Sequence, residues 1–510
     1  MNAKTIRQRF DHLSTRRTVQ LERARACAEV TVPGLMPPVG FNQGDSLPDL
    51  FSSLPARGVM SLASRMVSAI YPLNQLPFFQ HQLDMEYVPE GADTTETEAS
   101  LNRLDRRVMD KLSETNLRQE LFVLFQHLIV MGDALLYQSD DYEFRVVRCD
   151  QYVLRRRPDG MVTEIVVREW VDPNSIPEEW TNVPDQKSVP CAGGPSNEHE
   201  PMYTLLEREK GKWTCVKEFR NAVVDTGEYD VCPYSPQTWS RVAGEDYGRS
   251  LVEENLGDIR SLEALSRALI EGAAANSEYR VGIRPGGVGT SKDLQESVNG
   301  DYIVAEPGDV WSFQLNNQVQ LQTTSNARDA LTRDLGRTFL LASASQPTGE
   351  RVTATQIREI AAELDQSLGG VFSGAARDIQ IPIVRRTMLL MARDELIDKQ
   401  IIDLIGQDKI LALKVRTGLE ALNREVENSL LVQWAQVVQQ LPQSQSYVNW
   451  LQFLHRFTSS FGIESAGILK TQEELQQEQQ AAMQQQMAMQ AGSQAIQSTG
   501  RAAEEEARNA

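Results

Sequence analysis

Two stretches decide how this chain is read: Leu251–Tyr279, LVEENLGDIRSLEALSRALIEGAAANSEY, and Leu321–Ala342, LQTTSNARDALTRDLGRTFLLA. In the first, Leu256, Ile259, Leu262, Leu265 and Leu269 form one stripe; in the second, Ala327, Leu331, Leu335 and Phe339 do. Three- and four-residue spacing puts each set on one face of an α-helix. Between them, Pro285-Gly286-Gly287 breaks the helical pattern. The expectation is two long helices that carry a small module between them. Their opposite faces hold Glu253, Glu254, Asp258, Arg260, Glu263 and Arg267, then Arg328, Asp329, Arg333, Asp334 and Arg337. Polar faces of mixed sign suit subunit contacts or a water-filled lumen.

Working outward, the second helix runs into SASQPTGER, a Pro/Gly break over Ser343 to Arg351. A helix start follows, because Thr353 and Gln356 form a capping box in which each side chain satisfies the other's orphan N–H. Ile357, Ile360, Ala361, Leu364, Leu368, Val371 and Phe372 continue with helical period. Upstream, Phe144 to about Arg241 has the texture of β-structure, with turns at Pro158-Asp159-Gly160 and Lys210-Gly211-Lys212. The Pro-, Asn- and Gly-rich stretch between those hairpins reads as an exposed excursion. Before Tyr137 the pattern is mainly helical: Leu101, Leu104, Val108 and Leu112, then Leu117, Leu121, Leu124, Phe125 and Leu128, with a helix also over Arg57 to Ile70 after a proline-rich loop. The remainder to Leu469 reads helical, and a second capping box at Thr471 and Glu474 opens a Gln/Met/Ala-rich tail without a regular apolar stripe.

Composition narrows the function. The 510 residues are 41% hydrophobic and 24% charged, ordinary for a folded chain of several domains. Seventy acidic against 51 basic residues give a net charge of −19, the wrong sign for holding DNA or an anionic membrane by bulk attraction. The longest apolar stretch, Leu121 to Met131, is broken by Gln126 and His127 and falls short of the ~20 residues a spanning helix needs. The opening MNAKTIRQRF shows no apolar leader pattern, so cytosolic synthesis and assembly are expected. Cys27, Cys149, Cys191, Cys215 and Cys232 form no CxxC pair and read as reduced, mostly buried thiols.

Catalytic signatures are missing. His12, His81, His127, His199 and His455 are scattered, so no metal site is expected. Gly286–Lys292, GGVGTSK, fails the phosphate-loop spacing, and no GxSxG elbow occurs. The acidic pairs Glu253-Glu254 and Asp140-Asp141 read as solvated surface. Arg155-Arg156-Arg157 and Arg385-Arg386 read as salt-bridged surface rather than a phosphate grip.

GEDYGRSLVEENLGDIRSLEAL (Gly244 to Leu265) and PTGERVTATQIREIAAELDQSLGGVFS (Pro347 to Ser373) closely resemble the head-to-tail connectors, or portal proteins, of short-tailed bacteriophages (podoviruses) of the T-seven group. Supporting blocks in the same order are Leu54 to Pro72, Leu124 to Tyr137, Cys232 to Val242, Thr417 to Glu427 and Ile463 to Gln477. The resemblance implies a predominantly helical α+β portal fold that assembles as a dodecameric ring, with wing, stem, clip, crown and a helical C-terminal barrel. In this chain it implies a wing over 1–250, stem helices over 251–280 and 321–342, a clip over 281–320 and a tunnel loop over 343–352. A long helix and return to the wing would cover 353–415, the crown 416–470 and the barrel or tail 471–510.

The same resemblance implies a conduit for double-stranded DNA at one capsid vertex, not an enzyme, and no cofactor. Gln346, Thr348, Gly349, Glu350 and Arg351 would form the tunnel loop, and Gln346 and Pro347 stand where relatives can carry more basic or bulkier residues. Glu254, Asp258, Arg260, Glu263, Arg267, Arg333 and Arg337 would face the channel or neighbouring subunits; Arg284, Lys292 and Asp293 would serve clip docking. Implied partners are copies of the chain, the DNA, the terminase large subunit, scaffolding and major capsid proteins, tail adaptor and tail tube proteins, and internal core proteins, with no membrane. The virion is the implied location, after assembly in the host cytoplasm. A capsid assembly protein without a conduit, or a nucleic-acid-processing enzyme, are the competing readings.

Overall fold

The computed structural model describes residues 5–41, 44–71, 78–82, 94–181, 199–277, 280–286, 291–298, 306–313, 318–341, 371–397 and 414–417, with single positions or short runs within 302–304, 363–368 and 433–436. The chain divides into two units, Met1–Gln82 with Leu104–Leu422, and Leu83–Arg103 with Asn423–Ala510. In the second unit the described backbone over residues 94–103 is helical. The tunnel-loop residues Gln346, Thr348, Gly349, Glu350 and Arg351, the capping boxes at Thr353 and Thr471, and nearly all of the expected crown and barrel lie outside the described residues.

The first unit opens with α1 (Ile6–Arg16) and α2 (Thr18–Glu29). Ile6, Phe10 and Leu13 of α1, spaced four and three apart, pack on Val153, Val166, Tyr203 and Leu205. Burying each such side chain contributes about 1.5–3 kcal/mol. The N-terminus of α1 is held by Glu218, whose carboxylate accepts the N–H groups of Ile6 (2.8 Å) and Arg7 (3.3 Å). An anion at that end also suits the helix dipole.

Next come α3 (Leu54–Ile70), β1 (Phe79–Gln82), α4 (Thr94–Ser113), of which the residues from Leu104 on belong to this unit, and α5 (Leu117–Met131). The proline-rich stretch is thus part helical, because Pro55 falls in the first turn of α3, where a missing N–H costs nothing. Helix α5 is buried over most of its length and ends at Gly132, whose φ of +84° makes a left-handed cap. Leu104, Val108 and Leu112 of α4 are buried, as their spacing predicts.

Strands β2 (Asp133–Gln138) and β3 (Phe144–Val147) pair antiparallel, and β9 (Tyr234–Thr238) lies on the other side of β2. A second sheet is a sequential meander of β4 (Tyr152–Arg156), β5 (Val162–Val171), β6 (Glu200–Glu209), β7 (Lys212–Phe219) and β8 (Ala222–Tyr229), with a short helix, α6 (Glu178–Thr181), after β5. Both expected turns are present: Gly160 has φ +83°, and Lys210 and Gly211 have φ +48° and +91°. Two positive φ values in succession give the turn whose twist matches paired strands.

The decisive stretch folds as α7 (Leu251–Glu254), α8 (Leu256–Ser277), β10 (Arg280–Ile283), α9 (Ser291–Glu296), β11 (Val310–Phe313) and α10 (Gln318–Thr338). The expected single first helix is broken at Asn255, where the side chain donates back to the Leu251 carbonyl at 2.8 Å. Helix α10 begins earlier and ends earlier than its apolar stripe suggests. After Thr338 the chain turns at Leu340, with φ +55°.

The unit closes with α11 (Val371–Arg393) and β12 (Lys414–Thr417), which pairs antiparallel with β1. The Arg386 guanidinium anchors α11 on the small sheet. It donates to the Gln138 carbonyl (3.2 Å), the Val231 carbonyl (3.3 Å) and the Asp140 carboxylate (2.6 Å). Arg386 is therefore interior, contrary to the surface expectation, because three acceptors at loop and strand ends converge on it. Among the described residues no helix is long and apolar enough to cross a membrane.

Candidate functional site

The paired helices α8 and α10 are built from the stripes the sequence shows, but unevenly. Ile259 and Leu262 on α8, Leu335 on α10 and Phe339 just after its end are buried; Ala327 is exposed and Leu331 half-buried. Gly272 permits close packing, since a Cβ there would lie 2.8 Å from Leu321 Cδ2. Toward the small module the apolar cover thins: Ile270 is 53% exposed and Val319 77%.

The expected stem residues fall into two groups. Glu254, Asp258, Arg260, Arg333 and Arg337 are exposed on these helices. Glu263 is bound within the subunit, accepting the N–H groups of Phe51 (2.6 Å) and Ser52 (3.0 Å), and Arg267 sits over the Phe51 ring at 5.6 Å. Several basic groups are answered on their own helix. Arg267 donates to Glu271 (2.8 Å), Arg328 pairs with Asp329 (2.7 Å), Arg337 with Asp334 (3.6 Å), and Arg333 donates to the Asp329 carbonyl (3.2 Å). Such exposed pairs are screened by water and add little stability. Their effect is to leave the face with alternating sign rather than a positive field.

In the small module β10 and β11 form an antiparallel pair in which Gly282 faces Trp311. A Cβ on Gly282 would lie 2.5–2.7 Å from the indole, so only glycine lets that ring pack there. Arg284 is exposed, its N–H donating to the Asp309 carbonyl at 2.9 Å. The turn before β11 uses Gly308 at φ +100°. Lys292 is exposed on α9 beside Glu296 at 3.9 Å, and Asp293 belongs to the same helix. Trp311, 48% exposed, and Tyr302, fully exposed, give the module an apolar surface that the sequence reading does not single out.

A buried polar network joins the sheets to these helices. Asp133, at the start of β2, accepts the Gly248 N–H (2.9 Å), the Thr238 hydroxyl (3.1 Å) and the Gln20 amide (2.8 Å). Gln20 in turn accepts from Arg17 Nε at 3.2 Å. The Arg17 guanidinium lies 4.0 Å over the Tyr247 ring and donates to the Tyr152 carbonyl. Arg156 bonds Asp246 through its backbone N–H and Nε, both at 2.9 Å, and the Thr238 hydroxyl at 3.0 Å. The second of the arginine triplet is thus structural and half-buried; Arg155 and Arg157 pair with Glu164 (3.7 Å) and Asp159 (3.6 Å).

From this network the chain passes directly into the helices. Ser250 caps α7, its oxygen accepting the Glu253 N–H at 2.9 Å, and Arg249 pairs with Glu253 and Glu245. Sequence reasoning misses Ser250, though Ser250-Leu251-Val252-Glu253 has capping-box spacing. Arg17 and Asp133 carry no local motif that would reveal them.

Burial pushes the Asp133 carboxyl from 3.8 up to about 6, against the pull of Arg17, the Gly248 N–H, Thr238 and Arg156. A folded-state value above the unfolded one means that the folded chain binds the proton first. The resulting stability is present in full below about pH 4 and is lost as pH rises through about 6. The wild type should therefore lose on the order of 3 kcal/mol relative to Asp133→Asn between pH 4 and pH 7. Urea unfolding of both proteins across that range checks this; a constant difference would count against it.

Burial also pushes the His127 imidazole down to about 4 and the Cys149 thiol up to about 12, so both stay neutral near pH 7. Cys27, Cys149 and Cys215 are buried free thiols. Among the described residues no group of three His, Cys, Asp or Glu side chains is placed to hold a metal.

A family model described as "Bacteriophage head to tail connecting protein" matches residues 3–469. The chain is 29% identical over 488 residues to the portal protein of Escherichia phage T7, covering 92% of this chain and 88% of that one. The portal protein of Enterobacteria phage T3 is 29% identical over 486 residues, with the same coverage, and that of Enterobacteria phage SP6 is 26% identical over 482 residues, 92% of this chain and 90% of that one. Among solved structures, a chain from the neck of an empty GTA particle aligns over 78% of this chain and 88% of its own, at 12% identity and a TM-score of 0.34, too low to bear on the fold. The matched residues include the sheets, the paired helices and the module between them, and on that ground the chain belongs to the bacteriophage head-to-tail connecting proteins.

Proposed function

We propose that the chain is the portal subunit of a phage capsid and assembles as a dodecameric ring around a channel for double-stranded DNA. The observation that carries this reading is the helix–module–helix segment, lying inside a family match that covers residues 3–469. Under it, 251–280 and 321–342 are the stem, 281–320 the clip, 343–352 the tunnel loop and the two sheets part of the wing. The ring sits at one capsid vertex, assembled in the host cytoplasm with scaffolding and capsid proteins. Its clip would dock the terminase motor during packaging and the tail adaptor afterwards, through exposed groups such as Arg284 and Lys292.

The charge of −19 supports a conduit that does not adhere to its cargo. Each phosphate gripped by a cation releases counterions and adds affinity, so a lumen rich in carboxylates and paired arginines lets DNA slide. The protein's part is passive guidance, without catalysis. Arg351 is the proposed point of contact, and ring symmetry turns one residue per subunit into a ring of charges.

The first test is electron microscopy of the purified full-length protein. A twelve-fold annulus wide enough for B-DNA supports the reading; monomers or closed particles without a lumen overturn it. In assembled particles, Arg351→Ala should reduce retained DNA by about tenfold while leaving ring formation intact. Unchanged retention would remove the role of Arg351.

A further inference from the structure

The edge strands of a sheet turn backbone N–H and C=O groups outward, and in the two larger sheets three of the four edges are closed by the chain itself. At β4 the Leu154 N–H donates to the Tyr247 hydroxyl (2.9 Å) and the Arg156 N–H to the Asp246 carboxylate (2.9 Å), while the Tyr152 carbonyl accepts from Arg17. At β3 the Asn116 amide stands in for a strand. It accepts the Phe144 N–H and donates to the Phe144 carbonyl, both at 2.8 Å, and Glu120 accepts the Val146 N–H at 2.8 Å. At β9, Pro233 and Trp239 bond toward the β2 side, so alternation turns Pro236 outward, and proline has no N–H.

The fourth edge, β8, differs. Glu209 and Lys212 flank the Lys210-Gly211 turn as a bonded pair, so alternation turns Trp213, Cys215 and Lys217 toward β8, opposite Tyr229, Gly227 and Asp225. Thr226 and Glu228 therefore aim their backbone groups away from the sheet, and among the described residues no side chain or loop bonds them. The strand's eight residues include neither lysine nor proline, which commonly blunt an edge. Asp225 is answered by Lys217 (2.9 Å) and Asp230, just past the strand, by Lys212 (3.5 Å). Glu228 is exposed, with no ion partner among the described residues. A second copy suits this edge poorly. It carries the same charge of −19, its β3, β4 and β9 edges are closed in the same way, and its strands β1, β10, β11 and β12 have four residues each. Its own β8 would set one acidic strand against another.

The geometry points to β8 as a docking edge for an extended segment of another protein, which adds to the sheet as a further strand and places a lysine or arginine opposite Glu228. Backbone bonds at Thr226 and Glu228 supply affinity, and the cation supplies selectivity. Val223, 53% exposed near the start of the strand, offers an apolar contact. The edge is formed within one subunit, so the inference does not rest on the portal reading. Its test uses the purified full-length protein at about 0.15 M salt and two labelled peptides, one alternating lysine with valine, the other glutamate with valine. By fluorescence anisotropy the lysine peptide should bind about tenfold more tightly. On its addition, hydrogen exchange followed by mass spectrometry should slow within β8 at the Thr226 and Glu228 amides. Thr226→Pro removes an outward N–H and leaves the β7–β8 ladder whole, so it should weaken the lysine peptide by about tenfold. Glu228→Lys should reverse the preference between the peptides.

If Thr226→Pro speeds exchange across β7 and β8 before any peptide is added, it has disturbed the ladder, and Glu228→Lys decides instead: a reversed preference supports the docking edge and an unchanged one overturns it. Binding that survives Thr226→Pro in an intact sheet, or that leaves the Thr226 and Glu228 amides unprotected, is attraction to acidic surface at large and overturns it too. So does the absence of binding by either peptide. Protection of both amides in the protein alone, growing with its concentration, makes a second copy the occupant and likewise overturns the proposal.

Discussion

Asp133→Ala is expected to lower the unfolding free energy by about 3–5 kcal/mol, the cost of removing one member of a buried charged network. Three donors lose their acceptor at once: the Gly248 N–H, the Thr238 hydroxyl and the Gln20 amide. Gln20 also positions Arg17, which is buried and would be left without its neighbouring anion. Asp133→Asn should recover most of the loss near pH 7, since the amide oxygen still accepts. The check is the shift in urea midpoint for the two variants. A loss below about 1 kcal/mol for Asp133→Ala would place it among ordinary substitutions and refute the network's importance.

Gly132→Ala is expected to cost about 2–4 kcal/mol, from two independent causes at one residue. Its φ of +84° costs an L side chain about 1–2 kcal/mol. An added Cβ would also lie 2.8 Å from the Arg249 carbonyl carbon and 3.0 Å from the Ser250 nitrogen, and overpacking of that kind costs about 1–3 kcal/mol. Both obstacles are backbone atoms, which cannot rotate away. Across the same corner, a Cβ on Gly248 would lie 2.6 Å from the Ser240 oxygen. Thermal unfolding of Gly132→Ala measures the effect, and Gly257→Ala, where a Cβ meets nothing within 4 Å, is the control expected to match the wild type or exceed it.

These two residues show why some of the molecule is legible in sequence and some is not. Periodicity finds the paired helices because a stripe of Leu and Ile recurs within one segment, and turn chemistry finds the hairpins at Gly160 and Gly211. The corner at Gly132 and Asp133 is assembled from stretches far apart in the chain. Leu124 to Tyr137, Cys232 to Val242 and Gly244 to Leu265, each singled out by resemblance, meet there through Asp133, Thr238 and Gly248. No spacing within any one of them announces that contact.

Arginines illustrate the same limit. In sequence Arg17, Arg65, Arg156 and Arg386 look like any surface cation, yet each has acceptors, an acid or a ring brought to it by another part of the fold. The residues expected in a stem divide in the same way. Helical period places Glu263 correctly on the polar face of α8, but only the position of α3 makes it the acceptor for Phe51 and Ser52.

The pairing of β1 with β12 has a consequence for synthesis. Phe79 sits opposite Thr417, so the first strand emerges long before its partner exists. At roughly 5–20 residues per second, the ribosome needs on the order of 15–70 s to make the intervening chain. The meander β4–β8 can close during that wait, because each of its strands pairs with the next to be made. Strand β1 cannot, and its unpaired edge stays open to other nascent chains. At four residues it offers them little to grip, since short edges template poorly. Among the described strands, the edge that waits longest for its partner is thus a small one.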